Sequence, residues 1–312
     1  MYDKDGFKEA FINTMVEAEI NKNFKSAATI YFNQAEPVER MYNKDLCDFN
    51  IVEIIDLYKY VCTSSVESLL MMNSFLKRYT YFCMESNRVQ DGINHYEEVT
   101  NDVVISCINK VLLEDKITTR AQLLKTIGEL QNPSERFIML ATFEGLAGVG
   151  FTDLVDIYPE QFSKYKVKLR SGRELDISKE LYNFAIESAD EYMYYPEDAR
   201  DERHSQFSFR EDDRRVLKDL YNVKNSASEE RQKLNLANKL RRINRRLQVK
   251  AYSYGHLVES GRIDLINRTM REQKEPDPRK ALRLCKDEME LRYGELQAVG
   301  RFIKKYERFL AG

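Results

Sequence analysis

KYKVKLRSGRELDIS, residues 164–178, is the one stretch of this chain that does not read as helix or loop. Lys164–Leu169 alternates polar and apolar residues, as a half-buried strand does. RSGR, residues 170–173, carries the small and flexible residues of a tight turn, with Ser171-Gly172 at its tip. Residues 174–178, ELDIS, alternate again. The spacing predicts a β-hairpin in a chain whose other patterned segments repeat at three and four residues. The expected fold class is therefore mainly α with a small β-hairpin or sheet, an α+β protein of two domains.

Working outward, residues 7–20, 49–62, 65–86 and 103–113 each place apolar residues at helical steps. In residues 65–86, Val66, Leu69, Leu70, Phe75 and Leu76 are expected in the core, while Lys77 and Arg78 break the apolar pattern and face outward. Residues 87–102 read as a loop with a DG turn signal. The pattern restarts near Glu114–Thr119, which sets the expected domains at 1–115 and 116–312. In the second, helices are expected over 120–130, 134–146, 152–157 and 179–195. Residues 196–213 read as a polar loop with a short strand at QFSF, and residues 251–261 as a compact helix ended by Gly261. Residues 279–310 read as one long helix or a broken pair. Its stripe of Val299, Phe302, Ile303, Tyr306 and Leu310 suits docking on its own domain or on a second copy of the chain.

Composition excludes several classes. The 312 residues carry 49 Lys and Arg against 51 Asp and Glu, and 43% are hydrophobic, so a packed core is expected rather than disorder. No apolar run is long enough to cross a bilayer, and MYDKDGFKEAF is not expected to act as a secretory signal. Three histidines leave little for metalloenzyme or imidazole chemistry. The five cysteines are widely spaced and none forms a CxxC pair, so sequence spacing suggests neither a zinc site nor disulfides. No cofactor and no metal is expected, and a reducing cytoplasm is the expected location. GLAGVG at 145–150 follows no predicted strand and lacks GK[ST], so it is not read as a phosphate loop. Asp198, Asp201 and Glu202 read as a hydrophilic loop, and Tyr194 and Tyr195 as packing residues.

The near-neutral total hides an asymmetry. Residues 1–120 carry a net charge of −6, residues 121–230 of −7, and residues 231–312 of +11. RQKLNLANKLRRINRRLQVK, residues 231–250, has eight basic residues and no acid. Leu236, Leu240, Ile243 and Leu247 make an apolar stripe, which sends Arg241, Arg242, Arg245 and Arg246 to the opposite arc. A buried stripe under a row of guanidinium groups points to a polyanionic partner, since arginine forks match phosphate oxygens and guanine edges.

Two further motifs give the chain a family resemblance. GVGFTDLVDI, residues 148–157, is similar to the first catalytic box of the tyrosine recombinases, the phage integrase family. Gly148, Thr152, Asp153, Leu154 and Ile157 fit it, and the arginine of that box falls on Gly150. VKAYSYGHLVESG, residues 249–261, is similar to the second box, whose arginine falls on Lys250 and whose preceding histidine falls on Leu247. His256 matches a histidine common in the box but outside the catalytic set. The hairpin resembles the family's sheet, where Arg173 stands nearest the catalytic lysine, with Lys166 and Lys168 on the strand before it.

The resemblance implies a two-domain clamp around duplex DNA. It also implies that the cutting chemistry is missing. Two arginines, a lysine, a histidine and a nucleophilic tyrosine serve the family's reaction. Here Gly150 and Lys250 are degenerate positions, no histidine follows His256, and no tyrosine stands near Leu282, where the nucleophile is due. The expected function is sequence-specific binding of double-stranded operator DNA without strand cleavage, as in degenerate members that act as repressors of phage lytic genes. The expected DNA contacts are Arg241, Arg242, Arg245, Arg246 and Lys250, with Arg173 and Lys168 from the hairpin and Lys77 and Arg78 from the first domain. No catalytic residue is assigned. Expected partners are operator DNA, a second copy through the C-terminal helix, no membrane, and a regulatory ligand or protein of unspecified kind. Two alternatives stand beside this: an active recombinase using Tyr293, Tyr252 or Tyr254, and a helical accessory protein that has lost DNA binding.

Overall fold

The computed structural model describes residues 3, 6–18, 24–196, 206–220 and 228–310. The chain forms two compact units, Met1–Glu114 and Asp115–Gly312.

The first unit is helical. It contains α1 (Phe7–Ala18), α2 (Phe24–Tyr42), α3 (Ile51–Val61), α4 (Val66–Glu85), α5 (Asn101–Cys107) and α6 (Lys110–Glu114). Sequence periodicity did not single out α2, whose Pro37 lies inside the helix. The expected helix over 103–113 is broken at Ile108, which takes an extended conformation. Asn50 caps α3 through a reciprocal box with Glu53. Ser65 caps α4. The core is aromatic: Phe11 packs edge-on against Phe32, Phe75 and Tyr79 at 5.3–6.3 Å between ring centres. Lys8 and Glu39 form an ion pair buried in that core.

The second unit is helical around a three-stranded antiparallel sheet. It begins with α7 (Arg120–Gly128), α8 (Pro133–Phe143) and α9 (Thr152–Val155). The sheet joins β1 (Phe162–Ser163), β2 (Lys166–Lys168) and β3 (Glu174–Asp176) in that order, with Val167 opposite Leu175. Val167 and Leu175 point into the core and Lys166 and Lys168 away from it, as alternation requires. Gly172 turns the hairpin at φ +85°, a conformation open to glycine. Next come α10 (Lys179–Asp190), the small pair β4 (Met193–Tyr194) and β5 (Phe207–Ser208), α11 (Glu229–Leu247) and α12 (Tyr254–Gln273). The C-terminal part is α13 (Pro278–Leu284), α14 (Lys286–Tyr293) and α15 (Val299–Lys305).

Three further expectations need correction. The helix expected over 179–195 stops at Asp190, because Tyr194 pairs with Phe207 in β4 and β5. Gly261 does not end a helix; α12 runs through it to Gln273. Its role is spatial, since a Cβ there would lie 2.0 Å from the Phe143 carbonyl oxygen and 2.4 Å from the Tyr293 hydroxyl. The C-terminal segment is three helices rather than one or two. Phe302, Ile303, Tyr306 and Leu310 are all buried within this unit, while Val299 stays partly exposed. Among the described residues, no helix is long and apolar enough to cross a membrane.

Candidate nucleic-acid interface

The basic helix α11 is held down by its apolar stripe: Leu236, Leu240 and Ile243 are buried against α8 and α9. Its C-terminus closes at Gln248, in the left-handed conformation at φ +54°. Arg241, Arg242 and Arg245 are exposed on the far side, as is Lys250 just beyond the helix. Among the described residues Arg241 donates to Asn238 Oδ1 at 3.0 Å, and Arg242 lies 6.0 Å from the Tyr194 ring centre. No ion pair neutralises these four among the described residues. Lys168 on β2 is likewise exposed and without an ion pair there. A cavity of about 650 Å³ runs beside the helix, lined by Arg231, Arg241, Arg242 and Arg245 on one wall and by Lys218 and Leu220 on the other.

Arg246 departs from the expected arc. Its Nη2 lies 3.2 Å from Oε2 of the buried Glu135, whose Oε1 accepts the Tyr194 hydroxyl at 2.8 Å. At ~100° per residue Arg246 sits about 90° from the centre of the stripe, against about 130–170° for the other three arginines. It therefore reaches inward where they cannot. Glu191 accepts the Ser134 N–H nearby, and burial raises its pKa. Lys239 lies over the Tyr194 and Phe209 rings at 5.3 and 5.8 Å, and desolvation lowers its pKa.

Arg173 is also drawn inward. Its Nη2 sits 2.7 Å from Asp153 Oδ2. Its guanidinium also donates to the carbonyls of Gly145, Leu146, Leu291 and Arg292 at 2.7–3.3 Å. The hairpin lays it over the start of the 148–157 segment, where buried Asp153 supplies the compensating charge. In the first unit Lys77 is paired with Glu97 at 2.9 Å, and Arg78 lies against Met15 Sδ and over the Phe24 ring. Of the expected contacts, Arg241, Arg242, Arg245, Lys250 and Lys168 therefore present their charge to solvent, while Arg173, Arg246, Lys77 and Arg78 are engaged within the protein.

Gly150 and Lys250 stand where the resemblance places the family's two arginines. Gly150 takes φ +60° and the following Phe151 φ +73°. Tyr254 donates to the Gly148 carbonyl at 2.5 Å and packs edge-on against Phe151. The other tyrosines weighed as nucleophiles are tied in the same way. The Tyr293 hydroxyl donates to the Phe143 carbonyl at 2.5 Å, and burial pushes its pKa well up. The Tyr252 hydroxyl shares a 2.8 Å hydrogen bond with Thr126 Oγ1. His256 points Nδ1 at the Lys250 carbonyl, and burial lowers its pKa. Sequence reasoning missed Glu135, for which a charged residue inside the apolar segment of α8 was the available signal, and gave Asp153 only as a match to the first box. Asp198, Asp201, Glu202 and His204 lie outside the described residues.

A helical first unit, a second unit with its antiparallel hairpin between two box-like segments, and a basic helix before the second of them define a tyrosine-recombinase-like protein. The chain belongs to the MrpR family: residues 1–85 match the MrpR N-terminal core-binding domain and residues 117–293 the MrpR C-terminal catalytic domain. It is 21% identical over 197 residues to the SPbeta prophage-derived uncharacterized protein YopR of Bacillus subtilis (strain 168), an alignment spanning 60% of this chain and 58% of that relative. A solved structure of a lambda integrase (75–356) dimer bound to a COC′ core site is similar over 95% of this chain and 94% of its own, with 12% identity and a TM-score of 0.42.

Proposed function

We propose that this protein is a sequence-specific double-stranded DNA-binding repressor that uses a tyrosine-recombinase-like scaffold without cutting strands, and that it holds phage lytic genes silent in the bacterial cytoplasm. The observation that carries this is the outer face of α11, where Arg241, Arg242 and Arg245 are exposed and make no ion pair among the described residues. Such a face suits phosphate oxygens, and arginine forks also suit base edges in a major groove. MrpR-family membership supports the scaffold. Absence of cleavage is supported by three features. Gly150 offers no guanidinium, Arg173 is bound to internal acceptors, and the Tyr252, Tyr254 and Tyr293 hydroxyls each have an internal partner.

The proposal includes a homodimer on the operator. Because Phe302, Ile303, Tyr306 and Leu310 are buried, the contact would use the exposed Leu284, Leu291 and Val299. Genome-wide mapping of bound DNA in the host tests binding, specificity and target genes together. Discrete sites upstream of lytic genes are expected; dispersed or absent enrichment overturns the reading. A nicked suicide duplex tests the second half, with no covalent adduct expected. Light scattering of the DNA complex tests the dimer.

A further inference from the structure

Cys47 and Cys83 are 36 positions apart and in no recognisable metal spacing, yet folding brings them together. Cys47 lies in the short turn Leu46–Asp48, and Cys83 near the end of α4. Both are free thiols in the core, at most 4% exposed. Their sulfurs and a carboxylate oxygen of Asp45 lie within 4.8 Å of one another. The carboxylate is held in place: Oδ1 accepts the Cys47 N–H at 3.0 Å, Oδ2 accepts the Tyr79 hydroxyl at 3.1 Å, and Lys8 Nζ lies 3.8 Å from Oδ2. We propose that Asp45, Cys47 and Cys83 form a site for a thiophilic divalent cation of the zinc class, which ties the 45–48 turn to α4.

Three physical points support this. Tetrahedral zinc with Zn–S near 2.3 Å requires sulfurs ~3.8 Å apart, so the two sulfurs need to close by no more than ~1 Å. The carboxylate already accepts outer-shell hydrogen bonds of the kind that orient metal ligands. Charge selects the ion. Two thiols give up two protons as one M²⁺ enters and two metal–thiolate bonds form, so the charge of the core is unchanged. A monovalent ion displacing the same two protons would leave an extra buried negative charge. Entry would accompany folding, since the thiols are closed off in the folded unit. The commoner alternative for two adjacent buried thiols is simple packing, and the test separates the two.

Full-length protein is refolded under reducing conditions with Co²⁺. One Co²⁺ per chain is expected, with a thiolate-to-cobalt charge-transfer band and tetrahedral visible bands that Zn²⁺ abolishes. C47S, C83S and D45N should weaken or remove the signal, whereas C62S and C285S should keep it. Circular dichroism confirms that each variant folds. Folded wild-type protein without the band overturns the proposal, as does a band that survives C47S and C83S. A Cys47–Cys83 disulfide in protein isolated from cells, detected as a mass two hydrogens lower, also overturns it.

Discussion

Arg246 reaches beneath α11 to Glu135, while Arg245, its immediate neighbour, faces solvent. Adjacent arginines thus have different roles. R245A should weaken binding to operator and to unrelated duplex alike and reduce the slope of log affinity against log salt by about 1, with little change in stability. R246A should lower stability by about 2 kcal/mol, because buried Glu135 loses a charged partner. Paired salt titrations and urea melts separate the two. Equal effects of both substitutions on stability would defeat the assignment.

G261A is expected to cost about 3 kcal/mol, since the added methyl meets the backbone oxygen of Phe143 rather than a movable side chain. G128A is the control, at a glycine where an added Cβ meets nothing within 4 Å. Comparable denaturant midpoints for the two would contradict the close approach of α12 to the end of α8.

Y293F should leave DNA affinity unchanged and cost about 1 kcal/mol, the net value of its hydrogen bond to Phe143. Y252F and Y254F should likewise retain operator binding. A covalent DNA adduct in wild-type protein that disappears in any one of these variants would identify that tyrosine as a nucleophile and reverse the functional proposal.

His95 lies between two carboxylates, with Nε2 2.8 Å from Asp91 and Nδ1 2.7 Å from Glu98. Hydrogen bonding to Asp91 leads the upward shift in its pKa. The folded state therefore holds the proton more tightly than the unfolded chain. The resulting stabilisation is complete below the ordinary histidine pKa near 6.5 and is lost as pH rises through the raised value. Melting curves from pH 5.5 to 8.5 should show this decline in wild-type protein and a smaller one in H95N. Parallel curves would exclude His95 as the source.

Much of the fold could be read from the sequence because the same residues settle both pattern and packing. The hairpin followed from Lys166-Val167-Lys168 and Gly172, and α11 from Leu236, Leu240 and Ile243. What stayed hidden depends on distant partners. Gly261 reads as a helix stop until Phe143 and Tyr293 arrive beside it. Arg173 reads as an exposed hairpin charge until Asp153 and the carbonyls at the end of α14 meet it. The helix α2 was missed although Phe24, Ala28, Phe32 and Ala35 repeat at steps of four and three. In the interface, side-chain type located the charge, but burial of Glu135 decided which arginine turned away.

Gly150 and Phe151 both lie at positive φ. An arginine introduced at 150 would supply a guanidinium but would also carry roughly 1–2 kcal/mol of left-handed strain. On the proposed non-cleaving reading, strand cleavage would require re-laying two consecutive residues of main chain. On that reading a step away from glycine at 150 is uphill in backbone energy before any chemistry is gained, which makes the non-cleaving state hard to leave.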